Sequence, residues 1–105
     1  MRVKIFDSVF EAKAVLSNND PKLVRVDDKE ICVIRKNDHI YAFENSCPHM
    51  GERLHLGNTN YLDEIICPLH TYRFSMKTGI ETNQRCGDLK LYQILQKENG
   101  VFLEY

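Results

Sequence analysis

The sequence predicts an all-β fold: an antiparallel sandwich with one short helix near the N-terminus. Three observations carry that expectation. Short β-branched and aromatic runs recur along the 105 residues. Turn residues separate them every roughly 8–12 positions, the spacing of all-β sandwiches and barrels. Only one stretch pairs a helix start signal with helical apolar spacing.

That stretch comes first. Ser8 with Glu11 three residues later has the form of a capping box. Val9, Ala12 and Leu16 then fall near one face, so a helix is expected over about 9–17. Asn18-Asn19-Asp20-Pro21 ends it, because proline disfavours helix at the residue before it.

Strands follow. Leu23-Val24-Arg25-Val26 is short and β-branched, Asp27-Asp28-Lys29 is turn-like, and Glu30 to Arg35 forms the next strand. Lys36-Asn37-Asp38-His39 reads as a hairpin loop leading into Ile40-Tyr41-Ala42-Phe43. Further strands are expected at Glu64-Ile65-Ile66, Tyr72 to Ser75, Leu89 to Leu95 and Val101 to Tyr105. Lys77-Thr78-Gly79 and Glu98-Asn99-Gly100 supply turns in which glycine takes positive φ at little cost.

Composition sets outer bounds. Hydrophobic residues make up 43% and charged residues 28%, which argues against disorder. One domain, residues 1–105, fits the length. Fourteen Lys and Arg against fifteen Asp and Glu leave a net charge of −1, with no basic stripe for nucleic acid. The longest apolar runs, such as Ile31 to Ile34, fall far short of the roughly 20 residues that span a bilayer. Met1 to Asp7 lacks the apolar region of a signal peptide. A cytoplasmic protein without a membrane or nucleic-acid partner is therefore expected.

Two loops hold the unusual residues: Cys47-Pro48-His49-Met50-Gly51 and Cys67-Pro68-Leu69-His70. Each offers one thiolate and one imidazole, and each stiffens its ligand loop with a proline after the cysteine. Two Cys and two His suit a tetrahedral zinc site or a two-iron cluster, and spacing alone does not separate them. Zinc loops commonly pair Cys with Cys and His with His, whereas each loop here mixes the two.

These loops, with the following Phe74 and Thr78-Gly79, resemble the Rieske fingerprint, most closely that of soluble bacterial Rieske ferredoxins. The resemblance implies a Rieske-like β-sandwich with a small cluster-binding subdomain over about 45–72. It implies one Rieske-type [2Fe–2S] cluster, with Cys47 and Cys67 on one iron and His49 and His70 on the other. Both histidines would bind through Nδ1 and turn their Nε2 edges to solvent. The implied role is an electron carrier and not an enzyme by itself. It would take electrons from a flavoprotein reductase and give them to a terminal oxygenase. The alternatives are a small Rieske-like subunit beside a nitrite reductase large subunit, and a zinc-binding interaction module.

Departures from the fingerprint carry information. Glu52 and Leu69 stand where respiratory Rieske proteins have a disulfide pair, and Tyr72 stands where they have a serine that donates to the cluster. Fewer donors leave the reduced state less stabilised, so a potential near about −150 mV is expected. Thr71 occupies a position that is glycine in many ferredoxins, and Cys86-Gly87-Asp88 is a candidate cover for the cluster. Cys32 reads as a buried inert thiol and Cys86 as a free one. His39 and His55 read as surface histidines, and Tyr61, Tyr72 and Phe74 as packing residues. Asp27, Asp28, Glu30, Asp38 and Glu44 are read as a solvated face, with a docking patch as the sharper alternative.

Overall fold

Why the chain builds two cores is legible in its third strand. The computed structural model describes residues 1–105. β3 (Lys29–Lys36) carries the unbroken apolar run Ile31-Cys32-Val33-Ile34, and all four residues are fully buried. Successive side chains in a strand point to opposite faces. Ile31 and Val33 enter one core, and Cys32 and Ile34 enter the other. β4 (His39–Glu44) repeats the division: Ile40 and Ala42 join the first core, and Phe43 joins the second.

The first core lies within a curled six-stranded antiparallel sheet of order β1-β9-β8-β4-β3-β2. Its other strands are β1 (Arg2–Phe6), β2 (Lys22–Val26), β8 (Leu91–Lys97) and β9 (Gly100–Glu104). α1 (Val9–Val15) packs Ala12 onto it, and Leu16, at the helix end, is buried there too. The cap is as expected: the Ser8 hydroxyl accepts from the Glu11 amide at 2.9 Å. The reciprocal bond differs, since the Glu11 carboxylate accepts from the Asp7 amide at 3.3 Å. The helix stops two residues short of the expected end, because Leu16 turns extended to bury its side chain.

The second core joins the large sheet to a three-stranded one, β5-β6-β7: β5 (Asn58–Thr59), β6 (Glu64–Ile66) and β7 (Arg73–Ser75). Ile65, Phe74, Met76, Leu54 and Leu89 meet Phe43 there. The same core contains Cys47 and Cys67, so both ligand loops grow out of its edge. Asp63 fastens the small sheet to the large one, pairing with Lys36 of β3 and, at 3.3 Å, with Lys77.

The strands expected from the sequence are present, with shifts of one or two residues at their ends. Leu89 lies before β8, buried against Gly79, where φ is +81° and an added Cβ would meet the Leu89 carbonyl at 2.3 Å. Only glycine allows that approach. β1 and β5 carry no sequence signal strong enough to be expected. β1 alternates weakly and exists because β9 pairs with it, from Arg2–Glu104 to Lys4–Phe102 and, past a bulge, Phe6–Val101. No helix is long and apolar enough to cross a membrane.

Candidate functional site

Both loops are closed by the same hydrogen bond. The Cys47 amide donates to the carbonyl of Glu52 at 2.8 Å, and the Cys67 amide donates to that of Tyr72 at 2.8 Å. Each cysteine thus begins a turn that returns five residues later. The first turn closes through Gly51, whose amide donates to the Cys47 carbonyl at 2.7 Å with φ at +75°. The second passes through His70 and Thr71, at φ +61° and +52°.

Histidine tolerates the left-handed region better than most residues, but a β-branched side chain is strained there. Thr71→Gly is therefore expected to stabilise the protein by up to about 1 kcal/mol, after offsetting the greater freedom of glycine in the unfolded chain. The thermal midpoint of the loaded protein checks this, and a decrease would show that Thr71 is unstrained.

Asn45 braces the first loop from behind. Its amide oxygen accepts from the His55 backbone at 2.7 Å, and its amide nitrogen lies 2.7 Å from His55 Nδ1. Asn45 is buried, and its own backbone amide donates to the Glu30 carbonyl of β3. His55 is thus occupied as a loop clasp and not as a spare ligand. His39 sits at the surface beside Tyr41, with ring centroids 4.3 Å apart.

The four candidate ligands come together at one tip of the molecule. Cys47 and Cys67 are buried, in the same core. Burial, then the nearby Cys47, pushes the Cys67 thiol up to about 11, while a backbone bond from Leu69 opposes the rise. A bound cation would have to release protons from such thiols. The His49 and His70 rings meet edge to face, with centroids 5.6 Å apart. His49 is half-buried and its Nδ1 is a buried nitrogen without a hydrogen-bond partner. His70 is exposed. An orphaned buried nitrogen is uncommon, and ligation of a metal would account for it. The donor set of two soft sulfurs and two imidazoles fits a Rieske cluster. No three His, Cys, Asp or Glu side chains converge closely enough for a single ion.

A column of side chains backs His49. Tyr72 stacks on it at 3.9 Å with planes 9° apart, and the Arg85 guanidinium lies 3.8 Å from the Tyr72 ring centre. Two groups that close to one ring must occupy opposite faces. Arg85 is held in turn by Glu81, which is fully buried. Its carboxylate accepts from the Arg85 backbone at 2.8 Å, Nε at 3.0 Å and Nη2 at 2.9 Å. The expected cover, Cys86-Gly87-Asp88, is thus preceded by the residue that packs on Tyr72. Sequence reasoning missed Arg85 and Glu81; their i,i+4 spacing was the only available signal.

The Arg85 hydrogen bonds hold the Glu81 carboxyl down at about 2, against an ordinary 4.5, with burial opposing. A depressed folded value contributes stability above the unfolded value, and that stability is lost as pH falls towards the folded one. Wild-type stability is therefore expected to decline between about pH 4.5 and pH 2 more steeply than that of Glu81→Gln. Parallel acid slopes in thermal melts would reject this.

Cys32 is fully buried, and burial pushes its thiol up to about 12, so it is inert as expected. Cys86 is partly buried against the second core, and burial raises its thiol too. Asp28, Glu30 and Glu44 line one concavity, and Asp38 stands apart from them. Asp27 and Asp28 lie at the β2–β3 turn, and Asp38 lies at the far end of β3, paired with Lys13 at 2.6 Å. Glu30 is neutralised by Arg25 and Arg53.

The profile of the Rieske [2Fe-2S] domain matches residues 7–93. The ferredoxin component of the naphthalene 1,2-dioxygenase/salicylate 5-hydroxylase systems of Ralstonia sp. is 41% identical over 84 residues, covering 77% of this chain and 78% of that one. The oxygenase subunit of carnitine monooxygenase from Acinetobacter baumannii is 30% identical over 83 residues. That match covers 78% of this chain, which spans about a fifth of the subunit's length (22%). Among solved structures, the ferredoxin of carbazole 1,9a-dioxygenase from Nocardioides aromaticivorans IC177 superposes with a TM-score of 0.83 at 28% identity. It covers 98% of this chain and 96% of that one.

Proposed function

The chain belongs to the Rieske [2Fe-2S] domain family, whose cofactor is one Rieske-type [2Fe–2S] cluster, and on that premise we propose that it is an electron carrier and not itself an enzyme. It would work as a single domain, with the tip over about 45–72 as its cluster-binding part. Cys47 and Cys67 would hold one iron, and His49 and His70 the other. The observation that carries this reading is the pair of matched loops, which bring two buried thiols and one orphaned imidazole nitrogen to the same tip.

When bound, such a cluster supplies reversible one-electron chemistry. The chain's own residues do the rest. The second core keeps water from the sulfurs, since Cys47 and Cys67 are each only 1% exposed. The exposed ring of His70 shortens the path to a docked partner, while His49 is half-covered by its stack. His70 would therefore serve as the electron exit more than His49. By analogy with the ferredoxin components, the donor is a flavoprotein reductase and the acceptor a terminal oxygenase, in the cytoplasm.

Anaerobic reconstitution with iron and sulfide tests this. Two irons and two sulfides per chain and a rhombic EPR signal on reduction are expected. Electrons should then pass from the reduced protein to a ring-hydroxylating oxygenase. Colourless protein holding one zinc would overturn the reading.

A further inference from the structure

The column behind His49 has a second consequence. Arg85 is an exposed residue, yet its guanidinium is fixed at two points, and its backbone amide at a third, by a carboxylate that is fully buried. Burying Glu81 is costly unless it is paired, and a free surface arginine would not need such a partner. Arg85 is instead spent on one face of Tyr72, and the other face of Tyr72 lies on His49 at a tilt of only 9°. Cation, phenol and imidazole therefore form one rigid pile, anchored at Glu81.

We propose that Arg85, held by Glu81 and acting through Tyr72, is a positioning residue that fixes the His49 ring plane and whose charge favours the reduced protein. The proposal rests on His49 binding the cluster. The charge sits at about 8 Å from the His49 ring, with the Tyr72 ring stacked between them. At that range a fixed cation still acts on a site that gains one negative charge. The Glu81 carboxylate, bound at Nε and Nη2, offsets part of that charge. The orienting effect is independent of charge: with Tyr72 clamped, the His49 ring cannot rotate about its χ2 bond.

The test compares loaded Arg85→Gln with wild type and with Lys90→Gln, which removes one exposed positive charge elsewhere. The readouts are iron and sulfide content, the EPR g values, and the equilibrium with a viologen radical cation as one-electron donor. Arg85→Gln is expected to load fully, to shift its g values, and to be reduced roughly three- to tenfold less favourably. Lys90→Gln is expected to match wild type. Wild-type g values and equilibrium in Arg85→Gln would overturn the proposal. If Arg85→Gln does not load, Tyr72→Phe and Tyr72→Leu carry the test. The first keeps the stack and should keep the g values; the second breaks it and should shift them, and equal spectra would overturn the proposal. Failure of the underlying reading looks different: His49→Ala would then keep the wild-type rhombic signal.

Discussion

Cys67→Ala is expected to purify without visible colour, iron or acid-labile sulfide, while folding its large sheet normally. The argument is one of ligand count and burial. A Rieske cluster takes two thiolates, and the cysteines besides Cys47 and Cys67 are Cys32, fully buried within β3, and Cys86, beyond the second loop. Neither lies in a loop closed like those of Cys47 and Cys67, so neither substitutes. A retained rhombic signal in Cys67→Ala would reject the assignment. His70→Cys is the subtler companion. A third thiolate adds negative charge, so the variant should either lose the cluster or show an EPR pattern moved towards that of an all-thiolate site. An unchanged spectrum would reject His70 as a ligand. Far-ultraviolet circular dichroism should hardly change in either variant, since the large sheet owes its hydrogen bonds to β1–β4, β8 and β9.

Phe74→Ala is expected to cost about 3–5 kcal/mol, the range for removing a buried aromatic side chain. That is a large share of the roughly 5–15 kcal/mol available to a domain. Phe74 is fully buried, stands opposite Ile65 in the small sheet and bridges to Glu81. It also sits two residues after Tyr72, whose carbonyl closes the Cys67 turn. The loss should therefore fall first on the second core. Amides of β6 and β7 should exchange faster than those of β3 and β9, and the cluster should be lost at a lower temperature than the large sheet melts. Uniform destabilisation across both sheets would contradict the two-core description.

The candidate site was legible in the chain. Mixed Cys/His loops with a proline after each cysteine are unusual enough that residue type and spacing mark Cys47, His49, Cys67 and His70 as candidate ligands without coordinates. The short β-branched runs were equally plain, because a buried strand needs apolar side chains at short range and a hairpin needs its turn residues. Other features had no local signature. β1 depends on β9, about a hundred residues away in sequence. Asn45 and His55 look like any polar pair until the loop between them folds back. Arg85 and Glu81 carry no sequence signal beyond their i,i+4 spacing.

What the sequence determined alone is therefore the class of fold, the pair of ligand loops and the elements that flank them. Those follow from local rules: side-chain alternation, backbone stiffness at proline, and the donor chemistry of sulfur and nitrogen. Only the tertiary structure decided which histidine is covered and which is exposed, and that a buried carboxylate stands behind the covered one. Those are relations between surfaces brought together by packing of the second core, and no window of neighbouring residues contains them.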